Sequence, residues 1–260
     1  MRILFLADVV GAPGRRAVED RLPQLRAELG VDVCVLNGEN AADGIGITPR
    51  LADRLLAAGA DAITLGNHAF RRSEIVSYLE GSERVVRPAN LASSTPGRGL
   101  TVVPAGDGAR LAVVNLLGSL FLHPATSMFE IVDALVEEAA RATPLVLVDI
   151  HAEATSEKAA LARYLDGRVT AVVGTHTHVQ TSDARILPRG TAFLTDAGMT
   201  GPHDSVIGVV TELAVERMRT GMPVRFETAA GDVRIEGALV DADPATGRAT
   251  AIEAIRIPYP

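Results

Sequence analysis

The stretch Ile3-Leu4-Phe5-Leu6-Ala7-Asp8-Val9-Val10-Gly11 decides how the rest of the chain is read. Its first five residues are apolar without a break, as in a parallel strand buried on both faces, and the run stops at a carboxylate. The next segment has a different period. Val18, Leu22, Leu25 and Leu29 recur at spacings of three and four between Arg15 and Gly30, which predicts an amphipathic helix ended by glycine. The alternation then repeats. Val31 to Leu36 reads as a second strand, and Thr48-Pro49 opens a second helix with Thr as cap and Pro in the first turn. Ala62 to Leu65 and Arg72 to Leu79 make a third strand and helix. Further along, strands are expected at Leu111 to Leu116, Leu145 to Ile150 and Thr170 to Val173, with helices at Met128 to Arg141 and Thr155 to Leu165. After Thr191 the pattern turns to strands alone, at Thr191 to Thr195, Val206 to Val215, Val224 to Thr228, Val233 to Val240 and Ala249 to Ile257. Such an order predicts an α/β fold of two packed, mixed β-sheets flanked by helices. No linker interrupts it, so residues 1–260 are expected to form a single domain.

Composition removes several functions. The single cysteine, Cys34, permits neither a disulfide framework nor a Cys-based zinc site, and reads as a small apolar residue in mid-strand. A net charge of −7, from 32 acids and 25 bases, leaves no basic stripe for binding long nucleic acid unaided. Aromatics are only 3%, without Trp, which argues against stacking platforms for single strands. The N-terminal apolar run meets Asp8 too soon for a signal peptide, and no window reaches the roughly 18 apolar residues of a membrane span. A cytoplasmic protein with no membrane partner is expected; a homo-oligomer is left open.

Polar residues gather where the strands end, as they do at the sites of open α/β sheets. Asp8 ends the first strand, Asn37-Gly38-Glu39-Asn40 the second and Gly66-Asn67-His68 the third. Two later strands end in Asp149-Ile150-His151 and Gly174-Thr175-His176-Thr177-His178. Each piece alone has a plain structural reading, as a cap, a polar turn or a buried hydrogen-bonding histidine. The pair His176 and His178 is more telling, because residues i and i+2 on an extended strand or its exit project the same way. Jointly, carboxylates, amides and imidazoles without a thiolate suit Mn²⁺, Fe or Zn²⁺, and there are too many for one tetrahedral ion. Two ions about 3.5–4 Å apart are a standard device for attack at phosphorus.

The order Asp8, Asn37-Gly38-Glu39-Asn40, Gly66-Asn67-His68, His151 and His176-Thr177-His178 resembles the calcineurin-like metallophosphoesterase superfamily, whose pattern is D-x-H, G-D, G-N-H-[DE], H and G-H-x-H. The blocks Asn37 to Asn40, Asp149 to Lys158 and Thr195 to Gly208 are similar to its YmdB-like branch in particular, and the likeness extends over nearly the whole chain. Val10 stands where the superfamily has the His of D-x-H, Glu39 where it has Asp, and Ala69 where it has an acid beside the catalytic His. The resemblance implies a metallophosphoesterase-like α/β sandwich in which Asp8, Glu39, Asn40 and His178 hold one metal. Glu39, Asn67, His151 and His176 would hold the other, with His68 left over as general acid.

It further implies two transition-metal ions, Fe or Mn first and Zn next, and a phosphodiesterase of small cyclic nucleotides. The reaction would turn 2′,3′-cyclic nucleotides into 3′-nucleotides by attack of a metal-bridging hydroxide. Two divalent ions set against Asp8, Glu39 and one hydroxide leave a charge of about +1, which a diester neutralises and a monoester dianion exceeds. A phosphomonoesterase or protein phosphatase on the same metals is the alternative enzyme. A regulatory interaction protein in RNA turnover, its metals mainly structural, is the alternative of another class. His123 and His203, both in Pro-containing loops, read as structural.

Overall fold

The computed structural model describes residues 1–260 and has two β-sheets packed face to face between layers of helices. The first third of the chain supplies β1 (Arg2–Leu6), α1 (Gly11–Leu29), β2 (Val33–Asn37), α2 (Pro49–Ala57), β3 (Ala62–Thr64), α3 (Ile75–Gly81) and β4 (Val85–Val86). The second sheet is built from β5 (Leu100–Pro104), β6 (Arg110–Leu117), β7 (Val146–His151), β8 (Ala171–Thr175), β9 (Arg185–Ile186) and β10 (Ala192–Leu194), with α4 (Met128–Ala142) and α5 (Thr155–Tyr164) between its strands. The chain then returns to the first sheet through β11 (Gly201–Pro202), α6 (Thr211–Thr220), β12 (Val233–Ala242) and β13 (Ala249–Pro258). The sheet orders are β11-β12-β1-β2-β3-β4, with β13 on β12, and β5-β6-β7-β8-β10-β9. Strands β1 to β4 run parallel, as do β6, β7, β8 and β10; antiparallel partners lie outside them, which makes both sheets mixed.

The uninterrupted apolar run of β1 follows from burial on both faces. Ile3, Phe5 and Ala7 enter the core between the sheets with Val35, Val113, Leu147 and Val173. Leu4 and Leu6 face the other way, against Val18, Leu22 and Leu25 of α1 and Leu55 of α2. A third core joins β6 to β8 with Val132 and Val136 of α4 and Leu161 of α5. Local signals fix the helix ends as expected. Gly30 closes α1 in the left-handed region (φ 63°), and Thr48 Oγ1 accepts the Leu51 N–H (3.4 Å) ahead of Pro49 at the start of α2.

The run of strands expected after Thr191 is broken by α6. Of the strand expected over Val206 to Val215, only isolated bridges at Val206 and Val209 form, ahead of that helix, and Val224 to Thr228 forms a single bridge, Thr228 to Val209. The sequence T-E-L-A-V-E-R-M-R-T is rich in good helix formers and stops at Gly221 (φ 67°), so propensity prevails where packing is thin. Ala214 is its one buried residue. The first and third helices also begin elsewhere than the apolar period marks, at Gly11 and Ile75.

Candidate metal centre

The C-terminal ends of β1, β2, β3, β7 and β8 bring together the seven candidate ligands and His68. They fall into two groups. In one, His151 Nε2 lies 3.0 Å from Glu39 Oε1, 3.0 Å from Asn67 Oδ1 and 3.1 Å from His176 Nδ1. In the other, Asn40 Nδ2 lies 3.3 Å from Asp8 Oδ1 and 3.1 Å from His178 Nε2, itself 3.7 Å from Asp8 Oδ1. Glu39 and Asn40 are chain neighbours, so one turn after β2 serves both groups. His68 touches that turn from outside. Its Nδ1 is 2.8 Å from Asn40 Oδ1 and 3.4 Å from Glu39 Oε1, and its N–H donates to Glu39 Oε2 (2.9 Å). Asn40 is thus the partner that the missing acid at Ala69 left unnamed.

Hydrogen bonds behind the imidazoles decide which nitrogen faces inward. Thr175 Oγ1 donates to Asp149 Oδ1 (2.7 Å), so it accepts from His151 Nδ1 (2.9 Å) and leaves Nε2 toward Glu39. The Ile207 carbonyl accepts from His178 Nδ1 (2.9 Å), which turns the Nε2 lone pair toward Asp8. Glu153 Oε2 accepts from His176 Nε2 (3.0 Å) and leaves Nδ1 inward. Asn40 presents its amide N–H groups to Asp8 and His178, where a cation would otherwise sit, and its Oδ1 to His68; half a turn of the amide offers Oδ1 to a cation and gives up the bond from His68 Nδ1.

His176 and His178 do not converge through strand alternation. They follow β8 in left-handed backbone (φ 100° and 63°) and join different groups. Holding such a turn takes anchoring. Asp196 Oδ2 accepts from Thr177 N (3.2 Å) and Thr177 Oγ1 (2.8 Å), while Lys158 Nζ donates to the same oxygen (2.7 Å), with Lys158 and Asp196 both buried. Neither Lys158 nor Asp196 stood out as functional in the sequence; both lie inside the long family-like blocks, which was the available signal. Two glycines are required by space. A Cβ on Gly66 would strike Glu39 Oε2 and lie 2.5 Å from His151 Nε2, and one on Gly174 would strike the Thr195 carbonyl. His203 donates to the Met199 carbonyl (3.1 Å) away from both groups, and Cys34 is a buried free thiol.

The electrostatics fit a cation. Burial opposes the charge on Glu39, yet His151 and His68 outweigh it and hold the carboxyl at about 2. Burial likewise opposes the charge on His151, but Glu39, Asp8 and Asp149 raise it to about 9. His176, desolvated and beside His151, falls to about 3. Burial raises Asp8, and takes Asp149 up to about 6. The extra proton of His151 therefore stands among buried acceptors, where a metal ion would satisfy more lone pairs. Carboxylate, amide oxygen and imidazole donors without sulfur match Mn²⁺, Fe and Zn²⁺.

Residues 4–255 match the family described as YmdB-like protein. A Bacillus subtilis (strain 168) protein named 2′,3′-cyclic-nucleotide 2′-phosphodiesterase is 49% identical over 257 residues, covering 99% of this chain and 97% of that protein. Among solved structures, a hypothetical protein of Thermus thermophilus superposes with a TM-score of 0.93 at 45% identity, covering 100% of both chains. A phosphatase of Mycoplasma pneumoniae gives 0.92 at 35% identity, over 99% of this chain and 93% of that one.

Ligation needs neutral imidazole, so metal uptake must displace the proton held on His151 near pH 9. Binding should therefore release protons and weaken as pH falls, by about tenfold per unit for one proton. Calorimetric titrations of Mn²⁺ between pH 6 and 8, in buffers of different ionisation heat, check this; an affinity independent of pH counts against it.

Proposed function

The chain belongs to the YmdB-like protein family, and on that premise we propose that it is a dinuclear, metal-dependent phosphodiesterase that opens 2′,3′-cyclic nucleotides to 3′-nucleotides. One observation carries the reading: two groups of inward-facing oxygen and nitrogen donors, joined through Glu39-Asn40 at the ends of parallel strands. The substrate class rests on the name of the Bacillus subtilis relative. Asp8, Asn40 and His178 would hold one ion, and Asn67, His151 and His176 the other, with Glu39 shared and iron or manganese as the metal. Bound there, such ions supply Lewis acidity toward the phosphoryl oxygens and an attacking water of lowered pKa.

The remaining chemistry belongs to His68. It sits outside both groups with its side chain 23% exposed and its Nδ1 side against Asn40 and Glu39, so Nε2 is the nitrogen turned to the substrate side. Burial pulls this imidazole below its ordinary value, with the charge of Glu39 opposing, which makes its protonated form a stronger acid. When the P–O2′ bond breaks, the departing ribose oxygen takes a proton from Nε2. Glu153, Thr175 and the Ile207 carbonyl keep the other imidazoles from turning away.

A phosphomonoesterase is the second reading. Arg72, Arg217 and Arg225 line a pocket that begins at His178 and would offer a dianion positive charge. Their charge is opposed there by Asp43 and Glu227, which keeps the diester ahead. Bis-p-nitrophenyl phosphate and 2′,3′-cyclic nucleotides should be hydrolysed faster than p-nitrophenyl phosphate under equal metal loading; the reverse order selects the phosphatase. Replacing His68 by Ala should cost roughly 10²–10⁴ in turnover of a cyclic nucleotide. The loss should be far smaller on bis-p-nitrophenyl phosphate, whose nitrophenolate departs without a proton. Equal losses on the two would take His68 out of the acid role.

A further inference from the structure

His178 separates the metal centre from a cavity of about 440 Å³ that the proposed chemistry leaves unused. Its walls are the turn Asp43 to Ile45, the loop Ile207 to Val209, the segment Val224 to Thr228, and Arg72 and Arg217. These walls are built, not loose. Val210 N–H donates to the Glu227 carbonyl (3.0 Å) and Ala229 N–H to the Gly208 carbonyl (2.9 Å), which ties the segment to the loop. The Arg72 guanidinium donates to the carbonyls of Ala42 (2.8 Å) and Ile45 (3.0 Å) and fixes the turn. Ile207 has φ 46°, a costly conformation for a β-branched residue, and its carbonyl is the acceptor that orients His178. Cavity and metal centre thus share a wall.

The lining is unusual for exposed surface. Phe226 is 41% exposed, Ile45 43% and Ile207 52%, so an aromatic ring and two branched aliphatic chains face an aqueous cavity. The Arg217 guanidinium carbon lies 4.9 Å from the centroid of the Phe226 ring, which puts one planar cation over one planar ring. Flat apolar surfaces with charged hydrogen-bonding groups around them are what a nucleobase stacks on and pairs with. Low aromatic content argues against a platform for a long strand, but one base needs only one ring. The volume also falls within the roughly 300–1,000 Å³ of small-ligand sites.

We infer that this cavity is a nucleoside subsite, in which the base of a mononucleotide stacks against the Phe226–Arg217 pair while its phosphate lies at the metal centre beyond His178. The inference rests on the proposed phosphodiesterase activity and adds the part of the substrate that it recognises. A diester lacking a base would then reach the metal centre without this contact.

The test compares 2′,3′-cyclic AMP with ribose 2′,3′-cyclic phosphate, which has no base. Wild-type protein should show a KM at least tenfold lower for the nucleotide, and Phe226→Ala or Arg217→Ala should shrink the ratio of the two kcat/KM values by roughly 10-fold or more. Phe226→Tyr, which keeps a ring, should restore most of the ratio. Independently of turnover, calorimetric titration with adenosine should give binding to wild type that Phe226→Ala abolishes. Equal KM values for the two cyclic phosphates, or a ratio that Phe226→Ala leaves intact, would overturn the subsite while leaving the activity standing. Failure of the metal-loaded protein to hydrolyse either compound, with Phe226-dependent adenosine binding retained, would overturn the activity and keep the subsite.

Discussion

Two carboxylates, Asp8 and Glu39, are taken out of water at the same edge of the molecule and are given only histidines as charged partners. Isolated burial of that kind is costly, and no lysine or arginine offsets it. The imidazoles do not offset it fully either, because the bonds they donate to Thr175, Ile207 and Glu153 turn their other nitrogens into the same space. A surplus of inward lone pairs is the constraint on which the rest depends. It is tolerable when the molecule carries cations there, and it explains why the surrounding residues serve to hold orientation more than to add attraction.

That holding is done at some distance from the donors. The fully buried Lys158–Asp196 pair is costly to desolvate and adds little net stability of its own. What it secures is Thr177, pinned between two histidines whose left-handed backbone sends them to different groups. Asp149 acts through Thr175 in the same manner, and Ile207 carries backbone strain so that its carbonyl meets His178. Gly66 and Gly174 contribute by having no side chain at all, since a Cβ at either would meet an atom already in place. Removing any of these should leave the ligands present and aimed wrongly.

Most of this architecture is legible in the sequence, for a physical reason. Strand ends are local features: an apolar run such as Ile3 to Ala7 that stops at Asp8 marks both a buried strand and the polar residue it delivers. Five such ends in one chain point to one place. Helix α6 is hidden because a helix with only Ala214 buried has no apolar period to display, and the valines before it imitate a strand. The edge strand β4 escapes notice because two residues are too few to display a period. Lys158, Asp196 and Asn40's contact with His68 depend on three-dimensional convergence across many residues, which no spacing encodes. The arginines at the Phe226 cavity are of the same kind: none lies in a motif, and folding assembles them from α6 and two loops.

The most direct measurement is anomalous diffraction from crystals loaded with Mn²⁺, recorded at the manganese edge. The account predicts two peaks per chain about 3.5–4 Å apart. One should be contacted by Asp8, Asn40 and His178, the other by Asn67, His151 and His176, with Glu39 touching both and His68 touching neither. A single peak within the Glu39–His151–His176 group, or His68 bound directly to metal, would contradict it.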